Sequence, residues 1–321
     1  MKAVLIDQGS LRTAEVPDPV PSAEQVLVEV RAIGLNRADL SQKQGNYAHL
    51  GNSAYRVAGL ELAGEVVQVG DNVDRFAPGD RVMALSPGAC AELAVVDEHV
   101  ALPVPASLSY EQAAAIPVAF LTEHDALVTH GQVGPDSDVL VTSATATVSL
   151  AGLQIARHLG ARRIIGTTRT RHSRDELTRL GATDVIDQAD IAELVLECTD
   201  GIGVAVTVDH VGGPVLSECL TATAIGGRYI SVGRLGGTTA QLDLDLIAKK
   251  RLSLLGVSFR TRTVKEIGEV AQRMYADLGE ALGTGRLVPV LDSVFPVTQV
   301  SQAQDYLERG RPFGKVVLAV P

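Results

Sequence analysis

The residues best equipped for chemistry lie in two short stretches of one segment. The first, Ser143-Ala144-Thr145-Ala146-Thr147-Val148-Ser149, follows the apolar run Val139-Leu140-Val141-Thr142 and leads into helical spacing. Hydroxyls and the N–H groups of a helix N-terminus bind phosphate well. The second, Thr167-Thr168-Arg169-Thr170-Arg171 with Ser173 and Arg174, ends another apolar run. Strand, turn, helix and strand in this order form a dinucleotide-binding unit. An NAD site normally closes its second strand with Asp or Glu for the ribose 2′-OH. Here hydroxyls and guanidinium groups stand in that place, and these suit a 2′-phosphate. The expected cofactor is therefore NADP(H). Ser143, Ala144, Thr145, Thr147 and Val148 are candidates for its pyrophosphate, and Thr168, Arg169, Ser173 and Arg174 for its 2′-phosphate.

Two alternatives stay open on these residues. The basic stretch also reads as a solvated loop. The turn has none of the glycines that let backbone approach a pyrophosphate, and Ser149 is expected to set the following helix slightly off the strand. A chain that kept the fold as a binding, cyclising or regulatory scaffold, with weakened or lost cofactor binding, would look similar.

The elements that must position these residues follow from periodicity. From Asp138 to about Phe259 strands are expected at Val139–Thr142, Arg163–Thr167, Val185–Ile186, Ala205–Asp209, Arg228–Val232 and Leu252–Ser258. Helices are expected between them, at Val148–Leu159, Arg174–Leu180, Ile191–Cys198, Pro214–Ala222 and Leu244–Ala248. Right-handed crossovers assemble such a series into a doubly wound parallel sheet. His210 and Val211, Gly233, and Phe259 with Arg260 then fall at C-terminal strand ends, where open α/β sheets bind ligands. The first hundred residues instead give short strands punctuated by Gly and Pro, a β-rich partial barrel. Ser109 with Gln112 reads as a capping box. A long amphipathic helix near Val264–Gly283 precedes a final strand, Gly314-Lys-Val-Val-Leu.

With 321 residues, 46% hydrophobic and 21% charged, the chain has the composition of a globular protein of two domains, at roughly one per 150 residues. The formal charge of −10 argues against a general nucleic-acid binder or a binder of anionic membranes. No apolar run approaches the ~20 residues of a membrane span, and no leader pattern opens the chain, so a cytoplasmic protein is expected. Cys90, Cys198 and Cys219 are too few and too scattered for a disulfide framework or a zinc knuckle.

Several motifs together resemble the medium-chain dehydrogenase/reductase superfamily in its zinc-free quinone oxidoreductase branch. They include Gly34-Leu-Asn-Arg-Ala-Asp, Gln44-Gly-Asn-Tyr, Gly59-Leu-Glu-Leu-Ala-Gly-Glu-Val, Phe76-Ala-Pro-Gly-Asp-Arg-Val, Ala113-Ala-Ala-Ile-Pro-Val-Ala-Phe-Leu-Thr-Glu and Asp209-His-Val-Gly-Gly. The resemblance runs in order along nearly the whole chain. It implies a GroES-like catalytic domain over residues 1–118, a Rossmann NADP(H)-binding domain over 119–261, and completion of the catalytic domain by 262–321. Zinc-dependent relatives carry Cys where this chain has Asn36, Gly-His-Glu where it has Gly59-Leu60-Glu61, and an additional cysteine-rich lobe, so no zinc is expected.

Without a Lewis acid, reduction of a simple ketone lacks support for the alkoxide. Hydride addition to an enone, an enoyl thioester or a quinone spreads the charge into an enolate, for which hydrogen bonds suffice. The resemblance puts Asn36 and Tyr47 at the substrate, with Tyr47 as a possible proton donor. It puts Thr122 near the nicotinamide and Lys315 at the cofactor phosphates. It also implies a homodimer through the apolar edge strand at 252–259.

Overall fold

A computed structural model describes residues 1–45, 55–169, 173–310 and 312–321. The chain forms two compact units, Met1–Leu121 with Phe259–Pro321, and Thr122–Ser258. The joins expected at 118/119 and 261/262 thus stand at 121/122 and 258/259, which puts Phe259 in the first unit.

Among the described residues seven strands precede the second unit: β1 (Lys2–Asp7), β2 (Ser10–Glu15), β3 (Gln25–Leu35), β4 (Glu61–Val69), β5 (Arg81–Leu85), β6 (Leu93–Asp97) and β7 (Leu102–Pro103). The second unit contributes β8 (Asp138–Val141), β9 (Arg163–Thr168), β10 (Asp184–Asp187), β11 (Val204–Asp209), β12 (Thr223–Ser231) and β13 (Ser253–Gly256). The first unit then resumes with β14 (Leu291–Pro296) and β15 (Lys315–Ala319).

In the first unit β1 and β2 form a hairpin, and the remaining strands form a sheet in the order β14-β15-β3-β4-β5-β7, with β6 on β3. β3 is antiparallel to β15, β4 and β6. Its residues Val26, Val28, Val30 and Ala32 are buried at the alternate spacing of one strand face, and Leu27, Ile33 and Leu35 on the other spacing are buried as well. The expected capping box forms at the helix Tyr110–Ala113: Gln112 N–H donates to Ser109 Oγ at 3.2 Å and Ser109 N–H to Gln112 Oε1 at 2.9 Å. The long helix runs over Val264–Gly283. It starts where Thr263 N–H donates to Glu266 Oε2 at 2.7 Å, the reciprocal bond of another capping box.

The second unit is a parallel six-stranded sheet in the order β10-β9-β8-β11-β12-β13. Its strands read as apolar runs because helices cover both faces. Leu140, Ile165, Val204, Val195 and Leu220 share one core. Two expectations need correction. β12 starts at Thr223 instead of Arg228, its pairing with β11 interrupted by a register shift. β13 ends at Gly256 rather than Ser258: Val257 N–H still donates to Ser231 O, but the chain then turns, with Arg262 N–H donating to Phe259 O.

Candidate functional site

In the first unit three neighbouring strands bring distant residues together. Asn36 follows the end of β3, Glu61 begins β4 and Lys315 begins β15. Lys315 Nζ donates to Glu61 Oε1 at 2.5 Å and to Asn36 Oδ1 at 2.7 Å. Asn36 Nδ2 donates to Glu61 Oε1 at 2.8 Å, and Val118 N–H donates to Glu61 Oε2 at 2.8 Å. Glu61 and Lys315 are both 0% exposed. Gly34 makes this packing possible, since a Cβ there would collide with Glu61 Oε1 and the Ala114 carbonyl. The carboxamide of Asn36 is thereby fixed in orientation, its oxygen toward the ammonium and its nitrogen toward the carboxylate.

Below Asn36, Asp39 is buried and accepts the Asn36 N–H at 2.6 Å. Burial pushes its carboxyl up to about 7, Glu61 adds to the rise, and the bonds from Asn36 and the charge of Lys315 oppose it. Between its ordinary 3.8 and about 7 the folded chain holds a proton here that the unfolded chain has released. Stability from this group therefore falls as pH rises through that window, by roughly 4 kcal/mol in all. Asp39→Asn is expected to gain on the wild type between pH 5 and pH 8, read from denaturant midpoints. Parallel midpoints at the two pH values would contradict this.

In the second unit the glycine-free turn follows β8. Ser143 adopts φ +51°, a left-handed conformation usually left to glycine. It is held there by Ser143 N–H donating to Thr167 Oγ1 at 3.0 Å and Ala144 N–H to Thr167 O at 2.7 Å. Ser149 does not push the helix Thr147–His158 away from the strand. Its buried hydroxyl donates to Thr142 O at 3.1 Å and ties the helix to the end of β8. The N-cap of that helix is Ala146, whose side chain has no acceptor for the first-turn N–H groups.

Asp209, at the end of β11, is 0% exposed and accepts four bonds. Thr142 Oγ1 (2.7 Å) and Val211 N–H (2.9 Å) donate to its Oδ1; Tyr229 Oη (2.6 Å) and Gly212 N–H (3.0 Å) donate to its Oδ2. Burial first, then the Asp209 charge, pushes the Tyr229 phenol far up, so it remains a donor. His210 N–H donates to Thr142 Oγ1 at 2.8 Å, which joins the ends of β8 and β11.

The other expected residues fall as follows. Thr145, Thr147 and Val148 are half-buried in the turn and the start of its helix, and Ala144 is buried. Thr168 is buried at the end of β9, and Arg169 beside it is exposed. Ser173 is the N-cap of the helix Arg174–Arg179, and Arg174 is exposed in its first turn. Val211 and Gly233 are half-buried after β11 and β12, and Thr122 is half-buried in the helix Pro117–His124. Tyr47, Thr170 and Arg171 lie outside the described residues.

Two residues have partners that the sequence does not disclose. Phe259 ends no strand; it is buried in the first unit with the Arg262 guanidinium 4.9 Å from its ring centroid. Lys315, expected at the cofactor phosphates, has its ammonium buried against Glu61 and Asn36. Glu61, Asp209 and Glu123 were not singled out as site residues. The signal for Glu61 and Lys315 is a charge at the first position of a largely apolar strand, and such charges are rarely buried unless paired.

Residues 22–117 match the family model described as alcohol dehydrogenase GroES-like domain, and residues 147–275 the one described as zinc-binding dehydrogenase. The quinone oxidoreductase of Lama guanicoe is 30% identical over 310 residues, 95% of this chain and 92% of that protein. One component of the phenolphthiocerol/phthiocerol polyketide synthase of Mycobacterium tuberculosis is 31% identical over 314 residues, 97% of this chain. There the chain spans only 14% of the much longer relative. A mycobacterial structure solved in complex with NADPH superposes with a TM-score of 0.88 at 27% identity, covering 99% of this chain and 100% of that one. The chain belongs to the medium-chain dehydrogenase/reductase superfamily, in its quinone oxidoreductase/enoyl reductase branch. Its two units are accordingly a GroES-like domain and a Rossmann domain. Among the described residues no helix is long and apolar enough to cross a membrane.

Proposed function

We propose that the protein is an NADPH-dependent, zinc-independent reductase that delivers hydride to an electron-poor C=C bond or a quinone. The end of β9 carries this reading. Thr168 and Arg169 stand there with no carboxylate among them, beside a turn whose backbone is bonded to Thr167. The first-turn N–H groups of the helix Thr147–His158 would hold the pyrophosphate, and Arg169 and Arg174 the 2′-phosphate. Bound there, the nicotinamide supplies a hydride.

A zinc ion does not fit the residues of the first unit. Asn36 and Glu61 offer a carboxamide and a carboxylate, and both already bind the Lys315 ammonium. A second cation at that position would meet like charge, and among the described residues no group of three or more His, Cys, Asp or Glu could hold a metal ion. Substrates whose reduction yields an enolate suit this setting: enones, enoyl thioesters and quinones. Asn36, fixed by Lys315 and Glu61, is assigned to orient the small-molecule substrate, and Tyr47 to donate the proton.

Arg169→Ala is expected to weaken NADPH binding about 10- to 100-fold, the worth of a charge-assisted contact, and to leave NADH binding nearly unchanged. Fluorescence titration with both dinucleotides checks this. Equal losses for the two, or none, would remove the 2′-phosphate assignment. The strand β13 carries the half-exposed Leu254 at the sheet edge, and such edges are rarely left open. We assign it to a homodimer contact, to be tested by light scattering.

A further inference from the structure

Glu123 and His210 form a buried pair that the reductase reading does not use. Glu123, on the helix Pro117–His124, is 0% exposed. Its Oε1 lies 3.1 Å from Nε2 of His210, which is also buried. Room for the carboxylate comes from Gly152 in the helix Thr147–His158, where a Cβ would collide with Glu123 Oε2. Among the described residues, neither carboxylate oxygen and neither ring nitrogen has a hydrogen bond of good geometry, so the 3.1 Å contact joins the two as an ion pair. A lone buried carboxylate is costly, so the imidazole is the group that balances it.

The place of this pair in the sheet is specific. From β8 the chain builds outward through β9 and β10, then crosses to β11 and builds the other way through β12 and β13. The C-terminal ends of β8 and β11 therefore flank the topological switch point, where an open parallel sheet binds its dinucleotide. His210 directly follows β11 and is bonded through its N–H to Thr142, directly after β8. The acidic groups facing its ring are Glu123 and, one residue earlier, Asp209, which already accepts four bonds. Burial alone lowers the imidazole, but attraction to Glu123, with a smaller part from Asp209, more than offsets it and leaves it raised above its ordinary value.

We propose that Glu123 is a positioning residue: it holds His210 as an imidazolium at the switch point, where this cation faces the phosphates of a bound dinucleotide and makes its affinity depend on pH. The inference rests on the nicotinamide-cofactor reading above. As pH climbs through the titration of His210 the cation is lost, and anionic ligands bind more weakly.

The test is titration of the whole protein with NADH across pH 6 to 9. NADH is the better probe because the 2′-phosphate of NADPH itself titrates near pH 6. The wild-type Kd is expected to rise about tenfold over this range. In Glu123→Gln the rise should be complete at lower pH, and in His210→Gln it should vanish. Since a single replacement strands the other group in the core, the double variant Glu123→Ala/His210→Thr serves as the folded control. It should bind NADH with a flat profile, and NMR of wild-type His210 should show the imidazole titrating above its ordinary range. A flat wild-type profile, or one unchanged in the double variant, overturns the inference and leaves the reductase reading standing. Failure of both NADH and NADPH to bind at every pH overturns both.

Discussion

Lys315→Met is expected to destabilise the protein by about 3–5 kcal/mol at pH 7, the cost of leaving one member of a buried ion pair without its partner. The variant keeps a long apolar side chain in the strand but removes the ammonium from Glu61 and Asn36. Among the described residues Glu61 retains the bonds from Val118 N–H and Asn36 Nδ2, too little for a carboxylate with no solvent. The double variant Lys315→Met/Glu61→Leu replaces the pair by apolar groups and should recover most of the loss, because a buried pair gains little over a well-packed apolar one. Denaturant unfolding of the wild type, both single variants and the double variant gives the coupling. Additive losses, or a single-variant loss under 1 kcal/mol, would contradict the geometry of this cluster.

Asp209→Ala is expected to cost on the order of 5 kcal/mol, because it strands the hydroxyls of Thr142 and Tyr229 and the N–H groups of Val211 and Gly212 at once. The loss should concentrate in the Rossmann unit, as faster amide exchange along β8, β11 and β12 than in the GroES-like sheet. Dinucleotide binding should fall with it, since Thr142 and His210 lose their common support. Asp209→Asn recovers only part, because its amide nitrogen meets donors where the carboxylate offered acceptors. Uniform exchange across both units would show that Asp209 does not organise the strand ends.

Much of the second unit was legible in the sequence because a parallel sheet covered on both faces writes its strands as short apolar runs. Its helix Ile191–Cys198 matches residue for residue, as does Val264–Gly283 in the first unit. The start of β12 was hidden because Ile225-Gly226-Gly227 carries no strand pattern, and its pairing rests on neighbouring backbone. In the turn after β8 the Ser149 hydroxyl has a use that composition does not disclose, a bond to the Thr142 carbonyl just past the strand. What the sequence could not supply was adjacency. Glu61 and Lys315 meet across 254 residues, and the Glu123 carboxylate fits only because Gly152 lies against it. The odd charges in apolar strands were visible, but their partners depend on which strands become neighbours.

Hydride delivery from NADPH to an activated C=C bond or quinone is read most directly from NADPH absorbance during incubation with an enone, an enoyl thioester and a quinone. NADPH should be consumed one-for-one with reduced product for at least one of these classes, NADH should serve far less well, and added chelator should change nothing. NADPH that binds but is oxidised by none of the three classes, or turnover abolished by chelator and restored by zinc, would contradict it.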